Sequence, residues 1–330
     1  MSMTVKAYLY EWLSVKTPYL ERSTAEAYQI YIGKHLAPYF GEKDLADLRP
    51  IDVQRYVSDK LKGGRCDLKG GGLSRVSVRK HLNVLKQALS DAVVYEFLQS
   101  NPAACIKLPR VPSVSPAIEF LTIEQGQRLV SCFSGAFRLL VLMSLYYGLR
   151  RSEVIGLRWS SVDLEANTFT VEHTVVKNTT IECKDRTKTE NSRRSFSLFP
   201  DVREGLEMLK MRQKTERAER ITSGATYLES DYLFRHPDGR LFRPDYVTRA
   251  FERVARAEIS PTFRFHDLRH ATASILFERG WSVKDVQEWL GHADVETTLN
   301  IYVHYTRARK ILLGNDFAGL LTKNKKQLDM

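Results

Sequence analysis

The 330-residue sequence contains no apolar run near the roughly 18 residues that a membrane-spanning helix needs, so a transmembrane protein is not expected. It contains no visible internal repeat, which argues against solenoid architectures. Cysteine is scarce and shows no close pairing, and no signal peptide precedes the four positions, Cys66, Cys105, Cys132 and Cys183. Such cysteine usage is typical of reducing compartments. We therefore expect a cytoplasmic globular protein.

Positive charge, in contrast, is abundant. Fifty Lys and Arg residues stand against 39 Asp and Glu, giving a formal charge of +11 and a pI near 9.4. Residues 1–110 carry 17 basic and 11 acidic side chains, and residues 111–330 carry 33 and 28. Because both parts are basic, we expect two lobes that clamp one polyanion, and double-stranded DNA is favoured over an anionic membrane surface.

Two domains are predicted from the distribution of helix and loop signals. Stretches such as "VKAYLYEWL" and "SVRKHLNVLKQALSDAVV" repeat apolar residues at helical spacing. Residues 101–118 hold four of the eleven prolines and little periodicity, so a linker is predicted at 106–118. A small helical domain is therefore expected at 1–105, and a second domain at 119–330.

The second domain is predicted to be mostly helical with a small antiparallel sheet. Thr122 and Gln125 form a capping-box pair, and Gly148 ends the apolar helix "FRLLVLMSLYY". The segments "TFTVEHTVV", "TTIEC" and "RRSFSLF" alternate β-branched or aromatic residues with polar ones, which predicts the sheet at about 168–199. The expected fold class is mainly α, with a mixed α+β second domain.

The stretch "HDLRH" leaves two kinds of site open. His266 and His270 are four residues apart and would share a helix face, which is the spacing of a zinc-binding pair. Arg269 would share that face, and its fixed cation disfavours a divalent metal but suits a phosphate oxyanion. This segment alone does not choose between a metal site and an anion site.

A second candidate segment is "YYGLRRSEVIGLRW". Arg150 lies just after the helix that Gly148 ends, where the scaffold can hold a guanidinium rigidly or the side chain can simply meet helix-end carbonyls. Glu153 could orient Arg150 or stabilise the start of the following helix.

A third segment, "CKDRTKTENSRRSFSL", concentrates basic residues around a predicted hairpin turn: Lys184, Lys188, Arg193 and Arg194. A charge run on a turn usually faces solvent. A lysine beside a bound phosphodiester could instead donate a proton to a leaving oxygen. Spacing does not decide between them.

A fourth segment is "LGHADVETTLNIYVHYT". His292 is predicted at a helix C-terminus, and Tyr302 and Tyr305 follow on the next helix. Such tyrosines usually lie half-buried in a core. A phenolate is also a competent nucleophile when cations stabilise its charge.

Taken in order, "GLRRSE", "TKTENSRR", "HDLRH", "LGH" and "TTLNIYVH" resemble the motifs of the tyrosine recombinase family, the phage integrases and their relatives in conjugative transposons. This resemblance covers about 120–310. The segment from "TVKAYLYEWL" to "NPAACIKLP" is similar to the helical, SAM-like core-binding domain of the same family.

The resemblance implies a role for each matching residue. Arg150 and Arg269 would hold the non-bridging oxygens of the scissile phosphate, and Lys188 would be the general acid, with Lys184 as its competitor. His266 and His292 would contact the phosphate or assist proton transfer. Tyr302 would be the nucleophile rather than Tyr305, whose surroundings do not match the motif, and His270 would support the site from behind.

The implied activity is site-specific DNA recombination through a 3′-phosphotyrosyl intermediate, with no cofactor and no metal. The third ligand and the glutamate of a helical zinc protease motif are not evident, which agrees with the anion site. Expected partners are double-stranded DNA, three further copies of the chain in a homotetramer, and an accessory DNA-bending or excision factor. The apolar tail "RKILLGNDFAGLLTK" would pack on its own domain or dock on a neighbouring subunit.

Two other functions stay open from the sequence. A type IB topoisomerase uses the same residue types and relaxes supercoils as a monomer. A DNA-binding module would keep the residues without activity.

Overall fold

The structure is a computed structural model of the chain. It describes the following residues: 3–66, 70–109, 121–177, 181–184, 193–292, 294–306 and 310. The chain divides into two compact units, Met1–Ser113 and Val114–Met330. Most of the predicted linker, residues 110–118, lies outside the described residues. No helix in the described part is long and apolar enough to cross a membrane.

The N-terminal unit is helical, as the sequence predicts. Its α-helices are α1 (Val5–Lys16), α2 (Arg22–Tyr31), α3 (Ala37–Phe40), α4 (Pro50–Lys62) and α5 (Arg75–Val94). A π-helical turn, Ile32–Leu36, joins α2 to α3. The Thr4 side chain caps α1 by accepting the Ala7 N–H at 3.2 Å. Apolar faces of these helices, including Leu9 and Leu85, form one buried core.

The C-terminal unit holds the remaining helices. They are α6 (Ile123–Ser131), α7 (Gly135–Tyr147), α8 (Arg151–Ile155), α9 (Pro200–Thr222), α10 (Pro244–Glu258), α11 (Asp267–Glu278), α12 (Val283–Leu290) and, named α13 here, the helical residues 295–306. The predicted capping box of Thr122 and Gln125 is confirmed at the start of α6. The apolar α7 lies in the main core, where it packs against α6, α8, α9 and α11.

The described residues between α8 and α9 include five strands. They are β1 (Val162–Asp163), β2 (Thr168–Val171), β3 (Thr174–Lys177), β4 (Ile181–Lys184) and β5 (Arg194–Ser197). All pairings are antiparallel, as predicted, but the strands form two sheets instead of one. One sheet has the order β1-β2-β5, and the other is the β3-β4 hairpin.

Both sheets contribute to the main core. Pairing of β2 with β5 sets Phe169 opposite Phe196, and both rings are buried 5.4 Å apart in the main core. Strand β3 of the other sheet reaches the same core through the buried Val175 and packs on α8 and α10. Gly156 at the end of α8 allows this approach, because a Cβ there would lie 2.5 Å from the His173 carbonyl oxygen.

Candidate active site

Local sequence signals fix the backbone of Arg150. Gly148 ends α7 in the left-handed conformation with φ of 60°, and Arg150 is the extended N-cap of α8. The Glu153 carboxylate accepts the Arg150 backbone N–H at 2.9 Å. A Cβ at Gly148 would also lie 2.2 Å from Leu290 of α12, so this turn needs glycine for space as well as for φ.

The Arg150 guanidinium is held on two sides. Nη1 donates to Glu153 Oε1 at 2.6 Å, and Nη2 donates to the Gly291 carbonyl at 3.1 Å. Glu153 therefore fills both roles left open by the sequence, since it caps α8 and orients Arg150. With 34% of its side chain exposed, Arg150 can still meet a ligand.

Arg269, on α11, is the second guanidinium of the site and is only 1% exposed. Its Nε donates to His292 Nε2 at 3.1 Å, and its Nη1 donates to the Gly148 carbonyl at 2.7 Å. The buried Nη2 has no hydrogen-bond partner within the described residues. Burial, and next the Arg150 charge, lower the Arg269 pKa, but arginine stays protonated in proteins near neutral pH. A buried cationic donor without an acceptor is stabilised when an anion binds to it.

Two helix C-termini position the two arginines. Gly148 and Gly291 end α7 and α12 in the left-handed conformation, and their carbonyls accept from Arg269 and Arg150 respectively. Helix C-termini carry partial negative charge, which stabilises nearby cations. The glycines that end these helices therefore also hold the guanidiniums.

His292 follows the Gly291 turn and is buried. Because Arg269 Nε donates to Nε2, the imidazole proton lies on Nδ1, which donates to Thr298 Oγ1 at 2.8 Å. Burial, and then the charges of Arg269 and Arg150, lower the His292 pKa to about 3. His292 is therefore a neutral acceptor for Arg269.

His266 and His270 lie beside Arg269, as their spacing predicts. Their rings meet edge to face with centroids 5.0 Å apart. His266 is the N-cap of α11 and is exposed, whereas His270 is half-buried and its Nδ1 has no partner in the described part of the chain. Partial desolvation is the main cause that lowers both pKa values, so both rings are neutral at neutral pH.

Arg194 also belongs to the site, although its sequence context predicts only a charge on a turn. Its Nη2 donates to Glu153 Oε2 at 2.8 Å, and its side chain is 9% exposed. Burial alone raises the Glu153 pKa, but Arg194 and then Arg150 outweigh it and hold the pKa at about 2. Strand alternation could have revealed Arg194, because Arg194, Phe196 and Leu198 share one face of "RRSFSL" and the last two are buried.

The predicted general acid is not among the residues that the structure describes. Lys188 lies among residues 185–192, which the structure does not describe, and of Lys184 only the backbone, at the end of β4, is described. Both assignments stay predictions.

The predicted nucleophile lies on α13, next to α11. The exposed Tyr302 ring packs edge-on against Phe277 at 5.1 Å, and the Tyr305 ring lies 6.1 Å from Phe277. No hydrogen bond or ring contact between described residues joins Tyr302 to the arginines. Thr298 connects α13 to the site through its bond with His292. Packing alone therefore does not choose between Tyr302 and Tyr305.

The resulting site is cationic in character. No group of three or more His, Cys, Asp or Glu side chains in the described ranges could hold a metal ion. Three neutral histidines instead surround two arginines, one of which keeps a buried donor available. Such an arrangement suits a phosphate oxyanion, which accepts several charge-assisted hydrogen bonds.

Comparisons with known proteins identify the family of this chain. The phage integrase family matches residues 119–309, and the N-terminal SAM-like domain of phage integrases matches residues 4–61. A tyrosine recombinase XerC-like protein of Caldanaerobacter subterraneus is 27% identical over 280 residues, or 80% of this chain and 69% of the relative. The ICEBs1 integrase of Bacillus subtilis is 25% identical over 83% of this chain and 71% of its own length.

Solved structures share the fold. The integrase of transposon Tn1549, bound to a circular intermediate DNA, superposes with a TM-score of 0.73 at 19% identity over 94% of this chain and all of its own. The lambda integrase tetramer on a Holliday junction gives 0.67 at 17% identity over 91% of this chain and 77% of that one.

Proposed function

The chain belongs to the phage integrase family, and on this premise we propose how its residues carry out site-specific DNA recombination. It is a tyrosine recombinase, an enzyme that cuts and rejoins DNA strands, and integration or excision of a mobile element is its proposed task. The ICEBs1 and Tn1549 relatives support that task. The observation that carries the residue assignment is the buried Arg269, whose Nη2 has no hydrogen-bond partner among the described residues and lies beside the partly exposed Arg150.

The two arginines bind the scissile phosphate. Arg269 Nη2 and the exposed part of Arg150 donate to its non-bridging oxygens, and two fixed guanidiniums stabilise the charge that grows there in the transition state. His266 donates to the same phosphate or passes a proton, and neutral His292 keeps Arg269 in place.

Tyr302 attacks the phosphorus, so that a phosphotyrosyl bond forms at the 3′ end and the bond to the 5′ oxygen breaks. Lys188 gives its proton to the leaving 5′ oxygen, and the tyrosine proton passes to a base in the site. The 5′ hydroxyl of a partner strand then attacks the same phosphorus and releases Tyr302. The phosphotyrosyl bond conserves the energy of the phosphodiester, and the guanidiniums supply the positive charge, so no cofactor enters the scheme.

The partners follow from the reaction. The net charge of +11 favours DNA, and the helical N-terminal unit belongs to the SAM-like type of this family. Exchange of strands between two duplexes, each with two sites, requires four active sites, and the lambda integrase tetramer supports a homotetramer. The apolar tail after residue 310 lies outside the described residues, and its docking on a neighbouring subunit is part of this proposal. So are an accessory DNA-bending or excision factor and a cytoplasmic location.

A pool of nicked, sequence-varied duplexes that trap the intermediate tests the assignment. We expect wild type to give a covalent protein–DNA band after denaturation, Tyr302→Phe to give none, and the matched Tyr305→Phe variant to keep it. Sequencing the trapped DNA identifies a site for later measurements. A band that persists in Tyr302→Phe would move the nucleophile elsewhere, and no band from wild type despite binding would favour a silent binding module.

A further inference from the structure

The buried Glu153 carboxylate carries one negative charge between two guanidiniums. Glu153 is 2% exposed, and its Oε1 accepts from Arg150 while its Oε2 accepts from Arg194. Arg194 Nη1 also lies 3.4 Å from Oε1, so Arg194 meets both oxygens of the carboxylate. A carboxylate that orients a phosphate-binding arginine also cancels part of its charge. A second cation paired with Glu153 offsets this cancellation and leaves more positive potential at Arg150 for a phosphate.

Arg194 occupies the place of that second cation. Its guanidinium lies over the Phe196 ring at 5.5 Å and against the α12 terminus, where a Cβ at Gly291 would come within 3.0 Å of Nη1. The same Gly291 offers its carbonyl to Arg150. Arg194 is thus enclosed between β5, α8 and α12, while Arg150 remains partly open to a ligand.

The electrostatic influences on the Glu153 pKa agree with this arrangement. Against the burial that raises the Glu153 pKa, the Arg194 charge is the strongest opposing influence, and the Arg150 charge is weaker. Arg194 is therefore a strong partner of the Glu153 anion and meets both of its oxygens.

We propose that Arg194 is a positioning residue for recombination: as a buried counter-ion that meets both oxygens of Glu153, it lets this carboxylate orient Arg150 without neutralising it. The proposal rests on the proposed function, and within that function it assigns a role to a residue that does not itself reach the phosphate. Arg194 also begins β5 and so ties this strand to α8 through Glu153.

The adjacent arginine provides a matched control. Arg193 is 71% exposed and pairs with Glu172 at 3.3 Å, away from Glu153. Arg193→Met and Arg194→Met remove the same charge from neighbouring positions, so any loss of non-specific DNA attraction is shared by both. Arg194→Lys keeps a cation at the position but not the two-oxygen contact.

The test measures single-turnover formation of the covalent complex on the trapped site. Two versions of the duplex are used, one with the native phosphodiester and one with a neutral methylphosphonate at the scissile position. On the phosphodiester we expect Arg194→Met to form the covalent complex roughly 10- to 100-fold more slowly than wild type, which is the range typical of residues that orient a contacting group. Arg194→Lys should recover most of the rate. Arg193→Met should stay within about threefold of wild type.

The methylphosphonate separates charge from folding. Because it lacks the anionic oxygen that Arg150 would neutralise, the loss in Arg194→Met should shrink on this substrate to about threefold or less. Equal losses on both substrates, or a phosphodiester rate like that of Arg193→Met, would overturn the proposal. Failure of wild type to form any covalent complex would instead overturn the proposed function itself.

A double-mutant cycle with Glu153→Gln gives an independent measurement. If Arg194 acts through the Glu153 charge, Arg194→Met should slow the Glu153→Gln protein much less than it slows wild type. Losses that simply multiply would show that Arg194 does not act through Glu153. Melting temperatures of all variants identify any that fail to fold. If Arg194→Met fails to fold, the rates of Arg194→Lys and wild type on the two substrates are compared instead.

Discussion

Buried histidines occur in both units of the chain, but their surroundings differ. In the N-terminal unit, the His35 and His81 rings stack with centroids 4.4 Å apart. Tyr31 lies 5.0 Å from the His81 ring, and the Tyr56 hydroxyl shares a hydrogen bond of 2.8 Å with His81 Nδ1. These histidines are packed among aromatic rings as part of a core.

In the C-terminal unit, the histidines surround guanidiniums instead. His292 accepts from Arg269, and the neighbouring Arg269 Nη2 has no partner among the described residues. Burial is nevertheless the largest cause of a lowered pKa in both places, to about 4 for His81 and about 3 for His292. A neutral buried histidine therefore does not mark a site by itself. What marks the site is the unsatisfied Arg269 donor beside His292.

The strongest test of this contrast is removal of the cation. Arg269→Met should reduce the rate of covalent complex formation by about 10²–10³-fold or more, the cost of losing a preorganised oxyanion donor. The exposed Arg279, at the other end of α11, provides the control, and Arg279→Met should stay within about threefold. Wild-type cleavage by a folded Arg269→Met protein would remove Arg269 from the site.

Acid should destabilise the N-terminal unit through His81. The His81 pKa is about 4 in the folded chain and 6.5 in its ordinary state, so the unfolded chain binds the proton first as the pH falls. The His81 contribution is constant above pH 6.5, is lost between pH 6.5 and 4, and amounts to about 3 kcal/mol of unfolding free energy. Urea unfolding between pH 7 and 4.5 should show a shallower decline in His81→Phe than in wild type. Parallel declines would contradict this.

Removal of the acceptor sharpens the contrast within the C-terminal unit. His292→Phe keeps an aromatic ring but leaves Arg269 Nε without its acceptor, so we expect a loss of about 10- to 100-fold in covalent complex formation. Thr298→Val removes only the partner of Nδ1 and should cost about threefold. If His292→Phe lowered the melting temperature but not the rate per folded molecule, His292 would be structural, like His81.

The smallest effect is expected at the stacked His35 and His81 of the N-terminal unit. Tyr56→Phe removes the hydroxyl that bonds His81 Nδ1, which should lower the unfolding free energy by about 1–2 kcal/mol without changing the cleavage rate of the folded protein. Tyr19 is exposed, and Tyr19→Phe should change neither quantity. A cleavage defect in Tyr56→Phe with unchanged stability would show that the N-terminal pair does more than support its core.

Features encoded by neighbouring residues were predictable. Thr122 with Gln125 opens α6, and Gly148 and Gly291 end α7 and α12, because caps depend on a few adjacent backbone groups. The ordered motifs indicated the family, and the family comparison confirmed it. The helix containing "HDLRH" and the closeness of its two histidines followed from a spacing of four residues.

Features that depend on distant partners were not predictable. The strands of 168–199 alternate locally, but whether they form one sheet or two depends on which strands pair with each other. The same reason separates Arg193 from Arg194. They are identical in type and adjacent in sequence, and only packing against Glu153, 41 residues away, makes one a buried ion-pair partner while the other stays in solvent.

The sequence by itself therefore determined the helices, their ends and the family, since these depend on short-range pattern and ordered motifs. Only the tertiary structure decided which cations share Glu153, which helix-end carbonyls hold Arg150 and Arg269, and which buried donor is left for a ligand. The physical reason is that hydrogen-bond satisfaction in a buried site is a property of the whole set of neighbours, and those neighbours come from α7, α8, α11, α12 and β5.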